Sequence, residues 1–118
     1  DVFLRAQKCR RLIVDRVNEI LKDYDEIILP ASPSTAPLFD GKKSDNFNDE
    51  YDVADNYLAI GNFAGLPSIT LPLGFENNLP FGVNITGRKF EESLLLSVSQ
   101  NIENITELRG LSAKGGRK

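Results

Sequence analysis

Residues 62–72 read NFAGLPSITLP, and this short segment has residues typical of the end of a helix, followed by residues typical of a strand. Gly65 and Pro67 are typical of a helix C-terminus, because glycine caps a helix and proline cannot continue it. The Ile, Thr and Leu residues that follow predict a strand over residues 68–73. Pro72 predicts that this strand ends there or lies at a sheet edge, since proline donates no ladder hydrogen bond.

Three helices are predicted from apolar residues that recur at steps of three and four. They cover residues 2–24, about 48–64 and about 91–105. The stripe on the first helix predicts that Cys9 is a small buried residue rather than a reactive thiol. The basic residues beside that stripe, Arg10 among them, predict a solvated face. The stripe on the third helix consists of Leu94, Leu95, Val98 and Ile102.

Two further strands are predicted from runs rich in β-branched residues, at 26–29 and 82–86. Residues 76–78 (Glu-Asn-Asn) are typical of a turn, so residues 68–86 predict a hairpin with a long loop. Because helices alternate with strands along the chain, the predicted fold class is α/β, with helices layered on a small sheet.

The composition fits one globular domain and argues against several classes of protein. The chain has 118 residues, 41% of them hydrophobic, and its net charge of -3 does not indicate a nucleic-acid-binding protein. Its apolar runs are far shorter than the roughly 20 residues of a membrane span, and no signal-peptide pattern opens the sequence. We therefore expect a cytoplasmic location without membrane contact. The lack of methionine and a start at Asp1 within a helical pattern predict part of a longer protein.

The absence of histidine restricts the chemistry of the chain more than any other feature. Without histidine, a Ser-His-Asp or Cys-His group has no base, and the commonest zinc ligand is lost. Neighbouring acids such as Glu91 and Glu92 point in different directions on a helix and make no carboxylate pair. No catalytic residue, metal site or cofactor is therefore predicted. Asp55 is the exception among the carboxylates, because it stands in a predicted helix just before small residues and, if buried, must cap, pair or bind something.

Several motifs, taken in their order and spacing, resemble the C-terminal region of amidase-signature enzymes. They are NFAGLPSITLP at 62–72, LPFGVNITG at 79–87 and FEESLL at 90–95. The opening FLRAQKCRRLI at 3–13, with LPASP at 29–33, is similar to the A subunits of tRNA-dependent amidotransferases.

This resemblance implies a fold and a division of the chain. Residues 1–108 would be the C-terminal part of an amidase-signature domain, which layers helices on a mixed β-sheet, and residues 109–118 would be a flexible tail. In such A subunits, the resemblance implies, two serines, one of them with a cis peptide, and a lysine hydrolyse glutamine. These three residues belong to an upstream Gly/Ser-rich segment that has no counterpart in this sequence.

The same resemblance implies partners and one binding residue. Ammonia would pass from the A subunit to partner subunits of B and C type, and charged tRNA would be reached through the complex. The upstream catalytic part of the same subunit would be the nearest partner. Asp55 matches the aspartate with which the family holds the α-amino group of substrate glutamine. Asn84 and Thr86 stand where the family usually has glutamine and an aliphatic residue.

Two other functions stay open at this point. A general amidase for small amides would share the Ala-Gly-Leu-Pro region but would need no aspartate at Asp55. A non-catalytic α/β interaction module would need neither the aspartate nor the upstream segment. The choice between Glu-tRNA and Asp-tRNA also stays open.

Overall fold

The computed structural model describes residues 1–36 and 58–111. In chain order, the elements are α1 (Val2–Asp23), β1 (Glu26–Pro30), helical residues 58–64 (α2), β2 (Ser68–Glu76), β3 (Leu79–Gly87) and α3 (Glu92–Thr106). The three strands and the first and third helices are confirmed, with ends that differ from the prediction by at most three residues. The rest of the second predicted helix and most of the predicted tail lie outside the described residues.

The three strands form an antiparallel sheet in the order β1-β3-β2, so β3 is the central strand. Ile85 of β3 pairs with Ile28 of β1 and with Ile69 of β2. Residues that pair directly point to the same face of a sheet, so these three isoleucines share one face. Thr70 and Asn84 pair one position further along and therefore lie on the opposite face.

α3 covers the isoleucine face of β2 and β3. Leu71, Ile85 and Leu95 are buried there, and Ile102 packs against them. The predicted stripe of α3 is only partly correct, because Leu94 remains 38% exposed. Ser99, which the stripe omitted, is buried, and its hydroxyl donates to Leu95 O at 2.7 Å. The serine thus faces the sheet without leaving an unpaired polar group.

The hairpin between β2 and β3 is tighter than the long loop that the sequence predicted. Only Asn77 and Asn78 separate the two strands, with φ angles of 50° and 64°. Two successive positive φ angles are those of a type I′ turn, whose twist matches the strands and which asparagine tolerates better than most residues. The prediction was wrong because Pro72 interrupts the strand pattern without ending the strand.

Pro72 lies on β2, which is an edge strand of the described sheet, as predicted. The register shifts between Pro72 and Gly74, so a β-bulge there accommodates the proline. On the facing strand, a Cβ added at Gly82 would collide with the backbone oxygen of Leu71. This close approach of two backbones requires glycine at position 82.

α1 is confirmed as a helix, but most of its apolar stripe is not buried. Val17 and Leu21 are buried, whereas Phe3 and Leu12 are 65% and 67% exposed. Cys9 is also exposed, so the prediction that it is buried is wrong. The reason is that the described residues bury α1 only at Val17 and Leu21. None of the described helices combines the length and apolar character needed to cross a membrane.

Candidate functional site

Asp55, the site residue that the sequence predicted, lies outside the described residues. The structure describes the elements that follow Asp55 in the chain. α2 ends where predicted: Leu66 N–H donates to Gly61 O at 3.0 Å, and Gly65 has a φ of 65°. This left-handed conformation is the one for which glycine is favoured after a helix. The chain then passes directly into β2.

α2 packs on the sheet face opposite α3. Gly61 is buried there, and a Cβ added to it would lie 3.8 Å from Ser68 Oγ and 3.8 Å from Thr86 Cγ2. These are ordinary van der Waals distances, so the helix backbone rests almost directly on the strands. We call the face that carries Ser68, Thr70, Asn84 and Thr86 the polar face.

Three side chains of the polar face form a hydrogen-bonded network. Asn84 Nδ2 donates to Thr70 Oγ1 at 3.0 Å, and Thr86 Oγ1 donates to Asn84 Oδ1 at 3.4 Å. Thr86 is only 5% exposed, so its hydroxyl needs the partner that Asn84 provides. Asn84 and Thr86, which the resemblance set apart in the sequence, are therefore bonded to each other. Both were singled out in the sequence, whereas Thr70 was not, because its hydrogen bond with Asn84 depends on how β2 and β3 are paired.

Arg10 fastens α1 to the end of α2. Its Nε donates to Phe63 O at 3.2 Å, and its guanidinium lies 5.8 Å from the centre of the Phe63 ring. A cation is favoured at a helix C-terminus and over an aromatic face. Arg10 is an exposed residue, in line with the predicted solvated face, but its side chain also contacts α2. Its contact with a residue 53 positions away was not visible in the helical spacing.

A groove of about 360 Å³ lies on the other side of the sheet, between β2 and α3. We call it the outer groove. Three apolar and three polar or charged residues line it: Ile69, Leu71, Leu96, Ser99, Gln100 and Glu103. The sheet separates it from the polar face.

Among the carboxyl groups of the described residues, that of Glu26 in β1 has a displaced pKa. Burial, with a smaller contribution from the neighbouring negative charge of Asp25, raises the pKa of Glu26. Its Oε1 is buried and has no hydrogen-bond partner among the described residues. The described residues also contain no group of three or more cysteine or carboxylate side chains that could hold a metal ion.

Comparison with known proteins identifies sequence relatives. The amidase family model matches residues 1–96. The A subunit of glutamyl-tRNA(Gln) amidotransferase from Thermotoga maritima is 42% identical over 101 residues, which are 86% of this chain and 21% of that protein. The corresponding A subunit from Sulfolobus acidocaldarius is 36% identical over 111 residues, or 94% of this chain and 23% of that protein. The chain thus spans about a fifth of the length of the curated relatives it matches.

Solved structures have the same fold. The crystal structure of the Thermotoga maritima A subunit matches with a TM-score of 0.75 at 40% identity, over 86% of this chain and 22% of that one. An allophanate hydrolase of Kluyveromyces lactis matches with a TM-score of 0.72 at 24% identity, over 87% of this chain and 17% of that one, and shares the fold. The α/β class and the resemblance found in the sequence are confirmed. The chain belongs to the amidase family.

Proposed function

We propose that this chain is the C-terminal part of the glutamine-hydrolysing A subunit of a tRNA-dependent amidotransferase. The observation that carries the proposal is the 42% identity with the Thermotoga maritima A subunit over 86% of the chain, together with a TM-score of 0.75 to its structure. In this proposal, hydrolysis of glutamine in the cytoplasm supplies ammonia for converting Glu-tRNA(Gln) to Gln-tRNA(Gln). Partner subunits of B and C type would carry out the transfer and present the charged tRNA.

Within the A subunit, the proposal divides the work between two parts. The two serines and the lysine that cleave glutamine would belong to the four-fifths of the relatives' length that this chain does not match. This chain would supply Asp55, whose carboxylate accepts a charge-assisted hydrogen bond from the α-ammonium group of glutamine. Such a bond is stronger than one between neutral groups, and it selects an amino acid over a simple amide.

The described geometry supports this role indirectly. Asp55 lies three positions before the first described residue of α2, and α2 is held against the polar face through Gly61 and at its end by Arg10. Helix and sheet are thus in direct contact soon after Asp55 in the chain. A site built on packed elements keeps its charge in place better than one on a free loop.

The substitution Asp55→Asn in the complete subunit with its partners tests the assignment. A hydrogen bond to a charged group contributes about 1.5 to 3 kcal/mol, so we expect kcat/KM for glutamine to fall roughly ten- to hundredfold. Amidation with free ammonia should continue near the parental rate, because ammonia does not use the α-ammonium site. Asp52→Asn is the matched control. It removes a carboxylate from the same segment, and the proposal gives Asp52 no role. Equal loss of both nitrogen sources, or undiminished use of glutamine, would refute the role of Asp55.

The 118-residue chain by itself is expected to hydrolyse neither glutamine nor simple amides, since neither a catalytic base nor an activated nucleophile can be identified in its sequence. Assays of both substrates, with the chain alone and with the complete subunit, check this. Preference of the complete subunit for simple amides over glutamine would point instead to a general amidase. Turnover by the purified chain alone would contradict the division of work proposed above.

A further inference from the structure

Thr86 of the central strand touches α2. A Cβ added to Gly61 would lie 3.8 Å from Thr86 Cγ2, so the methyl group of Thr86 faces the helix backbone. The hydroxyl group of the same side chain donates to Asn84 Oδ1 at 3.4 Å. Both Gly61 and Thr86 are buried. One side chain thus presents an apolar group to the helix and a polar group to the hydrogen-bonded network of the polar face.

The network fixes which group of Thr86 faces the helix. A threonine side chain has few staggered conformations, because its Cβ is branched. Asn84 accepts the hydroxyl group of Thr86 and is itself held by its bond to Thr70 Oγ1 at 3.0 Å. Turning the hydroxyl group toward Gly61 would break the bond with Asn84 and leave a buried polar group unpaired, which is unfavourable. Asn84 therefore keeps the methyl group of Thr86 against α2.

The position of α2 depends on this methyl group because Gly61 has no side chain of its own. The helix backbone approaches the strands as closely as Thr86 and Ser68 allow. Ser68 is exposed, whereas Thr86 is buried, so Thr86 provides the contact that is closed to solvent. Protein interiors are densely packed, so the loss of one buried methyl group affects its neighbours. We expect the helix to shift or loosen at Gly61 when the methyl group of Thr86 is removed.

We propose that Thr86 is a positioning residue for glutamine binding. Its methyl group, oriented by Asn84, sets the distance between α2 and the sheet, and with it the placement of the segment that leads into α2. The inference rests on the proposed function, in which that segment binds the α-ammonium group of glutamine. Thr86 acts through α2 and takes no part in the chemical step. Loss of its methyl group therefore raises KM for glutamine and leaves kcat nearly unchanged.

Two substitutions of Thr86 in the complete subunit with its partners separate the methyl group from the hydroxyl group. Thr86→Ser removes only the methyl group, so KM for glutamine should rise roughly three- to thirtyfold, with kcat within about twofold of the parent. Thr86→Val keeps a methyl group at both branches of Cβ, so KM should stay within about twofold. Thr106→Ser is the control, because it shortens a half-buried threonine of α3 that keeps its bond to Glu103 O. A KM that rises in Thr86→Val but not in Thr86→Ser would overturn the inference.

Combined substitutions test the orienting role of Asn84. Asn84→Ala frees the hydroxyl group of Thr86, so KM for glutamine should rise about as much as in Thr86→Ser. In Thr86→Val the methyl contact no longer depends on Asn84. Adding Asn84→Ala to Thr86→Val should therefore leave KM within about twofold of Thr86→Val alone. An equal rise of KM when Asn84→Ala is made in the parent and in Thr86→Val would overturn the orienting role.

Amide hydrogen exchange on the same proteins reports on α2 without depending on activity. Leu66 N–H donates to Gly61 O at the end of α2. Its exchange should be at least ~10-fold faster in Thr86→Ser than in the parent, and unchanged in Thr86→Val. Active enzyme whose KM for glutamine does not respond to Thr86→Ser would overturn the inference and leave the proposed function standing. The expected exchange pattern in a parent that hydrolyses no glutamine would refute the proposed function and leave the positioning of α2 by Thr86 standing.

Discussion

Arg88 forms an ion pair with Asp25, which joins the residue after β3 to the residue before β1. The same guanidinium also donates from Nε to Tyr24 O at 3.4 Å and lies 3.5 Å from Glu91 Oε1. The side chain of Arg88 is only 35% exposed. One arginine thus connects the end of α1, the start of β1 and the start of α3, and the fixed fork of the guanidinium makes three contacts possible.

Replacing this arginine should weaken the fold measurably. Arg88→Ala is expected to lower the free energy of unfolding by about 1–2 kcal/mol, because several partners of a partly buried charge are lost together. Arg11→Ala is the matched control: its ion pair with Asp15 is exposed, with side chains 76% and 52% accessible, and should contribute about 0.5 kcal/mol or less. Urea unfolding of both variants measures the difference. Similar losses would show that Arg88 acts only as a surface charge.

Gly82→Ala should be among the most damaging conservative changes in the sheet. The added methyl group meets the backbone oxygen of Leu71, which cannot move without breaking the pairing of β2 with β3, so we expect a loss of about 2–4 kcal/mol. Gly61→Ala provides the contrast, since its nearest contacts would be 3.8 Å away and alanine favours helix by up to about 1 kcal/mol over glycine. In thermal unfolding, Gly82→Ala should have a lower melting temperature than the parent, and Gly61→Ala a higher one.

The two-residue turn predicts opposite effects of two small substitutions at Asn78, which has a φ of 64°. Asn78→Gly should stabilise the hairpin by roughly 0.5 kcal/mol, because glycine adopts positive φ freely and Asn-Gly is the preferred type I′ pair. Asn78→Ala should destabilise it by about 1 kcal/mol, because the Cβ disfavours this conformation. Chemical denaturation would check both values, provided that the free energy of unfolding falls with denaturant concentration at the same slope in all variants. A stabilising alanine would rule out the type I′ conformation.

The raised pKa of Glu26 predicts a pH-dependent stability. Because the folded pKa lies above the unfolded value of about 4.5, folding favours the protonated carboxyl group. The contribution of Glu26 to stability is therefore complete below about pH 4.5 and is lost as the pH rises through the folded pKa. Glu26→Gln imitates the protonated form, so it should be more stable than the parent at about pH 7, by less than about 1 kcal/mol for this partly exposed side chain. The difference should vanish when unfolding is measured below about pH 4.5, and a gain that is constant with pH would contradict the assignment.

The fold was largely predictable from local patterns, and the errors have local causes. Helical spacing located α1 and α3, and the Gly65 and Pro67 signals located the end of α2. The length of the hairpin was missed because a proline in an edge strand resembles a strand end, although only the partner strand decides which it is. The burial of Cys9 was predicted wrongly because a stripe shows which side of a helix is apolar and not what covers it.

The candidate site was less accessible to sequence reasoning. Asp55 was singled out by its position in a predicted helix and assigned a role by resemblance, and that role stays a prediction. The bond between Asn84 and Thr70 depends on a register that the turn and the bulge set together. The contact between Arg10 and Phe63 depends on how two helices meet. Such long-range pairings have no periodic signal in the chain.

The exposure of Cys9 gives the chain a built-in reporter. The sequence contains one cysteine and no methionine, so a maleimide dye attaches at one defined point, in the middle of the apolar stripe of α1. The thiol reacts quickly while that side of the helix is open and slowly once other polypeptide lies on it. The labelling rate of this sulfur atom, measured on the peptide that contains Cys9, therefore reports in solution and without any substitution how completely α1 is covered in the complete protein.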